Sequence, residues 1–363
     1  MSTDWEAVRL RFDGNRLRGA RELRRLTQAG LARTATEVGH ISGLTAAAVS
    51  QFEVGEAVPS PPTLEALVRA LEVPPEFLCA APTDDELDLP AFFRSLRATP
   101  ARERKRARSL IQLVHRLAVV LDGHVVLPAR TLPSIPCDPF DDPEARRQAA
   151  EAAAKEVRRA WKIKRGPISN IVGVLESHGV VCTQFRLDDH RIDAFSVNFS
   201  DHPVAVLGAD KDKWDRSRFD AAHELGHLVM HDEAAGVPEV ERQANEFAAA
   251  FLLPARDIHS HLPARADWRQ LMELKSTWGV SMAALLMRAR TLEVMVPSTY
   301  VSATKVMSAR GWRRHEPVAG TPELPTMLSD ALARAKKAGH TPESLRREAS
   351  IPADLFAEIC RII

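Results

Sequence analysis

The 363-residue chain reads as a mostly helical α+β protein. Three observations predict this. Successive segments place apolar residues at the 3.6-residue spacing of amphipathic helices. Only three short runs, at 180–187, 192–199 and 203–207, have the pattern of strands. Polar or Pro-rich breaks near 80–86, 127–143 and 317–325 punctuate the helices, and the length suits two or three domains, each able to bury a core. The expected organisation is a helical bundle at 1–79, a helical connector and Pro-rich linker at 80–143, and a domain holding the small sheet at 144–256. A helical extension packed on that domain follows at 257–316, and a small helical domain closes the chain at 317–363.

Taken in order, Leu17, Ala20 and Leu23 mark a first amphipathic helix. Thr27-Gln28-Ala29-Gly30-Leu31-Ala32 opens a second, with Thr27 at the N-cap. A third runs from Thr45 to Glu53, capped by Thr45 and stopped near Gly55. Leu64, Leu67, Val68 and Leu71 give a fourth. After the polar stretch 80–86 comes a basic run: Arg94, Arg97, Arg102, Arg104, Lys105, Arg106 and Arg108. It leads into a helix with Leu110, Ile111, Val114, Leu117, Ala118 and Leu121. Such a run fits a phosphate-backbone patch and, equally, the solvated face of a connecting helix.

Helices are expected at 144–161 and 167–177, then the strands. In the middle strand Phe195, Val197 and Phe199 alternate with Ala194, Ser196 and Asn198. An exposed edge of this sheet suits main-chain pairing with a peptide, but the edge strand is not legible. The helix pair 268–278 and 281–292, around Trp278-Gly279-Val280-Ser281, is expected to pack on the preceding domain, with a helix-turn-helix as the other option. Arg310-Gly311-Trp312-Arg313-Arg314-His315 is a compact basic and aromatic cluster. It fits an acidic partner or DNA, and equally a turn around a partly buried Trp.

The chemistry centres on Phe219-Asp220-Ala221-Ala222-His223-Glu224-Leu225-Gly226-His227-Leu228-Val229-Met230-His231. His-Glu-x-x-His on a helix sets His223 and His227 one turn and about 40° apart, so both imidazoles reach one metal ion. Glu224 stands beside them as a base for a metal-bound water. The helix is apolar nearly all round, so it is expected to be buried, and buried imidazoles and a buried carboxylate need partners. A zinc site of this type uses three protein ligands. On the next helix, which stops before Pro254, Glu241, Ala244, Asn245 and Ala248 share one face, small enough to approach Gly226. Glu241 is the expected third ligand, and Asn245 is placed to orient a ligating His. Glu246 is the competing carboxylate, about 140° away around the helix. His190, His202, His231, His259, His261, His315 and Tyr300 are candidate oxyanion donors.

The order Glu-x-x-Ala-Asn-x-Phe-Ala ending in Leu-Leu-Pro, with the lead-in Arg218-Phe219-Asp220-Ala221-Ala222-His223, resembles the ImmA/IrrE family of metallopeptidases, whose core is similar to thermolysin-like zincins. The resemblance implies a zinc held by His223, His227 and Glu241, with Glu224 as general base. A small sheet before the metal-binding helix suits that fold. Leu26-Thr27-Gln28, Val49-Ser50-Gln51-Phe52-Glu53-x-Gly55 and Pro59-Ser60-Pro61-x-Thr63-Leu64 resemble the XRE-type helix-turn-helix of phage repressors. That implies a third helix in the major groove, with Thr45, Ala46, Ala47 and Ser50 facing base edges and Gln28 contacting phosphate. Two departures stand out. The link between the second and third helices is long, and the third helix is mostly Ala, with no Arg, Lys or Asn for direct readout.

Composition bounds the rest. The net charge is +1, so no global field attracts nucleic acid, and residues 1–79 hold nine Arg against ten Asp or Glu, a net of −1. No run approaches eighteen apolar residues, so no membrane partner is expected. Cys79, Cys137, Cys182 and Cys360 are far apart and read as reduced, mostly buried thiols of a cytoplasmic protein. Together the resemblances imply a zinc-dependent regulatory endopeptidase with a DNA-binding module. Its expected substrate is a transcriptional repressor or antitoxin, cut in a stress or mobile-element response. Manganese or iron suits such a site as well as zinc. An alternative is a transcriptional regulator whose peptidase-like domain senses a metal or ligand without cleavage. The intact Glu224 counts against it, because a sensor needs no base. A third is a toxin–antitoxin or phage-type regulator recruited to its own promoter. A homodimer stays open.

Overall fold

The computed structural model describes residues 3–79, 100–137, 142–186, 193–209, 214–231 and 238–361. The stretch 80–86, with Arg94, Arg97 and His190, lies outside the described residues. The chain forms two compact units, Met1–Leu127 with Met327–Ile363, and Pro128–Thr326.

The first unit begins with α1 (Trp5–Leu10), α2 (Gly14–Leu23), α3 (Gln28–Gly39), α4 (Ala46–Glu53) and α5 (Pro61–Leu71). Short polar residues start all five, with Asp4 accepting from the Ala7 N–H at α1. Asp13 accepts from the Asn15 N–H, Thr27 from Gly30, Thr45 from Ala48 and Ser60 from Thr63, satisfying amides that have no partner within the helix. The extra length expected between the second and third helices is partly absorbed by α3, which continues to Gly39. A Cβ there would run into Ala66 of α5, so the two helices touch through this glycine. Leu17, Leu31, Val49, Leu64, Leu67 and Leu71 are fully buried, each stabilising by about 1.5–3 kcal/mol.

The connector helix α6 (Ala101–His124) belongs to this unit. It buries Leu110, Ile111, Val114, Leu117 and Leu121. Part of its basic run is used at home: Lys105 pairs with Glu22, Arg102 with Glu103, and Arg25 of the bundle also reaches Glu103.

The second unit holds α7 (Pro143–Ala160), α8 (Ile171–Ser177), β1 (Val181–Phe185), β2 (Ala194–Val197), β3 (Val204–Gly208), α9 (Trp214–Met230), α10 (Pro238–Leu252), the short α11 (Ala255–Ile258), α12 (Trp268–Trp278), α13 (Met282–Thr291) and α14 (Pro297–Ala309). The sheet order is β1-β3-β2. β1 runs parallel to β3, with Val181 opposite Val204, and β2 runs antiparallel to it, with Ala194 opposite Leu207. β1 and β2 are therefore the edges of the described sheet. Ala221, Ala222, Leu225, Leu228, Val229 and Met230 of α9 are buried, as the all-round apolar pattern requires. A Cβ on Gly226 would lie 3.1 Å from the Phe247 ring and 3.4 Å from the Ala244 Cα, so α9 and α10 approach closely at that residue.

The 268–292 helix pair packs on this unit. Gly279, with φ 66°, ends α12, its carbonyl accepts from Arg218 Nε, and Arg288 of α13 donates to the Leu253 carbonyl.

Two boundary expectations are corrected. The Pro-rich stretch does not simply separate domains. The Ile135 and Cys137 amides donate to the Val229 and Met230 carbonyls, which end α9 without a helical partner, and Thr131 N–H donates to His178. The tail is not a separate domain at 317–363. Its helices α15 (Met327–Lys337), α16 (Pro342–Glu348) and α17 (Ala353–Cys360) join the first unit, where Arg24 grips Asp354 at 2.5 and 3.1 Å and His124 meets Glu348 at 2.9 Å. The preceding segment stays with the second unit because its acids satisfy helix N-termini. Glu316 accepts from Met282 and Ala283, and Glu323 from Ile171 and Val172.

Candidate metal centre

The helical spacing of α9 brings the His223 and His227 rings together, and α10 brings Glu241 to both. The three offer ligand atoms that all lie within 4.8 Å of one another. His223 Nε2 is 3.0 Å from His227 Nε2, 3.4 Å from Glu241 Oε2, and His227 Nε2 is 3.7 Å from Glu241 Oε1. Among the described residues this is the one group of His, Cys, Asp or Glu with metal-ligand spacing. Glu246, the competing carboxylate, is engaged elsewhere by Arg146, at 3.0 and 3.1 Å.

Hydrogen-bond accounting fixes what the two rings present. Asn245 Oδ1 lies 3.2 Å from His223 Nδ1, and Asn245 Nδ2 is anchored on the Glu241 carbonyl at 2.8 Å. The His223 proton therefore sits on Nδ1, and Nε2 carries a lone pair. His227 Nδ1 lies 3.1 Å from His231 Nδ1, and His231 Nε2 lies 3.0 Å from Gln243 Oε1. With the Gln243 oxygen accepting from His231 Nε2, His231 Nδ1 is the acceptor and His227 Nδ1 the donor. His227 Nε2 is then a lone pair as well. Two nitrogen lone pairs facing each other at 3.0 Å repel unless a cation draws both. Glu241 Oε1 is buried beside them with no hydrogen-bond donor. Two neutral nitrogens and a carboxylate form the donor set that zinc accepts, with a coordination position to spare.

The electrostatics couple the same groups. Burial pushes the Glu241 carboxyl up, but the two imidazoles outweigh it and hold the group far below the ordinary carboxylate range. Burial also opposes charge on His223, yet Glu241 and Glu224 leave its pKa raised. His231 goes the other way. Burial, then the neighbouring His227, push it down to about 4, so it stays a neutral acceptor.

Glu224 is buried on α9, and Ser196 Oγ of β2 donates to its Oε2 at 2.6 Å. Asn198, just past the same strand, donates to the Leu228 carbonyl at 3.4 Å. The polar side of the alternating strand thus faces α9. That alternation was visible in the sequence, but the partner of its polar side was not. Gln243, fully buried two residues beyond Glu241, also escaped notice. Of the oxyanion candidates, His231 touches the site, but both its ring nitrogens are engaged and it has no free N–H to offer. His259, His261 and His315 are exposed, His202 is half-buried in the turn between β2 and β3, and Tyr300 lies under Arg290 at 5.1 Å.

The expected DNA-facing residues lie on the bundle. Ala47 is exposed, Ala46 and Ser50 are half-buried, and the Thr45 hydroxyl accepts from Ala48 N at 3.2 Å. Gln28 does not project freely, because its amide donates to Glu53 Oε2 at 2.8 Å. Glu53 is buried and also receives Arg21 at 2.5 and 2.9 Å, locking α4 to α2. The bundle is a helix-turn-helix domain, and the second unit is a metallopeptidase-like domain.

Comparison with known families agrees for both. Residues 17–78 match the family model of helix-turn-helix domains, and residues 175–290 match that of the IrrE N-terminal-like domain. No curated protein matches the chain. The chain is therefore a fusion of an XRE-type helix-turn-helix domain, a DNA-binding class, with an IrrE/ImmA-like peptidase domain. No described helix is long and apolar enough to cross a membrane.

Proposed function

We propose that this chain is a zinc-dependent regulatory endopeptidase that cuts a transcriptional repressor or antitoxin in a stress or mobile-element response. The observation that carries the reading is the convergence of His223 Nε2, His227 Nε2 and an unsatisfied Glu241 oxygen beside the buried Glu224. His223, His227 and Glu241 would hold the ion. A bound zinc supplies Lewis-acid polarisation of the scissile carbonyl and lowers the pKa of water.

The remaining chemistry belongs to side chains. Ser196 occupies one Glu224 oxygen and leaves the other to take a proton from the attacking water and return it to the departing amine. Asn245 and His231 hold the two ligand rings in one tautomer. β2, the strand that carries Ser196, is an edge of the described sheet and suits an extended substrate paired through its main chain. A helix-turn-helix domain on the same chain favours a DNA-bound substrate, because co-residence on DNA raises its effective concentration.

Glu224→Gln tests this. Metal content should stay near that of the wild type, while cleavage of co-expressed repressor candidates, read by mass spectrometry, falls by about 10²–10⁴. Undiminished cleavage would end the endopeptidase reading. A non-cleaving sensor makes a different forecast: reporter expression indifferent to Glu224→Gln but responsive to metal removal.

A further inference from the structure

Exposed arginines on this protein are commonly paired one turn away on their own helix. Arg9 meets Glu6, Arg69 meets Glu65, Arg147 meets Glu144, Arg159 meets Glu156 and Arg242 meets Glu239. One region of the second unit breaks the pattern. Where α14 ends, the exposed Arg310 lies over two half-buried indoles, 4.6 Å from the Trp312 centroid and 5.6 Å from that of Trp268. The two rings pack edge to face, 5.3 Å apart. Arg313 and Arg314 follow Trp312, and Arg265 and Arg269 flank Trp268, all four exposed.

None of these five guanidinium groups has a hydrogen bond or ion pair among the described residues. The neighbouring acids are largely committed. Asp267 caps Gln270, and Glu316 holds Lys275 and the first amides of α13. Glu273 is the only acid of α12, and the sequence from 294 to 315 contains none. Leaving five cations unpaired around a rigid aromatic mount has no evident benefit to folding.

We propose that Arg265, Arg269, Arg310, Arg313 and Arg314 form a phosphate-binding surface that takes the backbone of duplex DNA. Three observations favour this partner. The chain carries a helix-turn-helix domain, yet that domain holds nine Arg against ten acids and its α4 has no cation. Affinity for DNA comes mainly from neutralised phosphates, so the charge must be supplied from elsewhere on the chain. The groups are arginines, whose planar forks match phosphate oxygens. The Trp rings are packed against each other and under Arg310, so they hold the guanidinium in place and are not free to stack on unpaired bases, which points to duplex backbone. The proposal stands independently of cleavage.

The test uses the full chain and a labelled duplex of arbitrary sequence, with anisotropy measured between about 50 and 200 mM salt. The triple variant Arg310→Gln/Arg313→Gln/Arg314→Gln should bind about tenfold or more weakly, and its slope of log affinity against log salt should shrink by about 2–3. A control, Arg147→Gln/Arg159→Gln, removes exposed paired arginines of the same unit and should leave the slope in place. Near-UV circular dichroism should match the wild type in both. The surface is disproved if the wild type does not bind duplex, if the triple variant keeps affinity and slope, or if the control lowers the slope equally. Loss of binding to a polyglutamate peptide with duplex affinity unmoved would also disprove it, assigning the patch to an acidic protein. Glu224→Gln should leave the slope unchanged, so failure here is separable from failure of the peptidase reading.

Discussion

The helix-turn-helix bundle and the metal centre both bury charged and polar side chains, but they satisfy them differently. Around Glu53 the accounting closes. Both carboxylate oxygens are gripped by Arg21, the Gln28 amide adds a third bond, and Arg21 also donates to the Leu26 carbonyl. Between α9 and α10 it does not. Two ring nitrogens turn lone pairs on each other at 3.0 Å, and a buried carboxylate oxygen has no donor. A closed network holds a fold together, whereas an open one awaits a ligand. The comparison teaches that polar residues mark a site only when their local partners run out.

The contrast can be broken from either side. The largest effect is expected in the closed network. Arg21→Ala leaves Glu53 buried without its main partner, which should cost about 3–5 kcal/mol, read as the loss in urea unfolding of the first unit. A cost under about 1 kcal/mol would mean that Glu53 is not held as described. In the open network a smaller and more selective effect is expected. His231→Ala removes the acceptor that fixes the His227 tautomer, so metal affinity should drop about 10–100-fold in chelator competition. His231→Asn should recover part of that loss by accepting the same proton. ¹⁵N spectra of the apo protein should show His227 losing its single tautomer in the alanine variant. Unchanged affinity would show that His231 merely fills space.

Much of this was legible in the sequence because it is local. Thr27 and Thr45 announced their caps, and the four-residue spacing of His223 and His227 put both rings on one stripe. Glu241 was reachable because Ala244, on its face of α10, let that helix approach Gly226. What stayed hidden depends on pairing across long separations. Ser196 becomes the partner of Glu224 only once β2 lies along α9, and Gln243 matters only because His231 ends the same stripe as the ligands. The tail looked independent because its apolar faces do not name their partner. The Arg24–Asp354 pair spans most of the chain, and no local pattern encodes it. The partner of Gln28 within the bundle was hidden for the same reason. The position of Gln28 fits a phosphate contact, but a buried carboxylate close by claims the amide.

The most direct measurement is elemental analysis of the purified full chain, wild type beside Glu241→Ala, after dialysis against zinc and then against metal-free buffer. About one zinc per wild-type chain is expected, with most of it lost from the variant, because two imidazoles alone make a poor site. A wild type that retains no metal, or a Glu241→Ala variant that holds it equally well, would contradict the account.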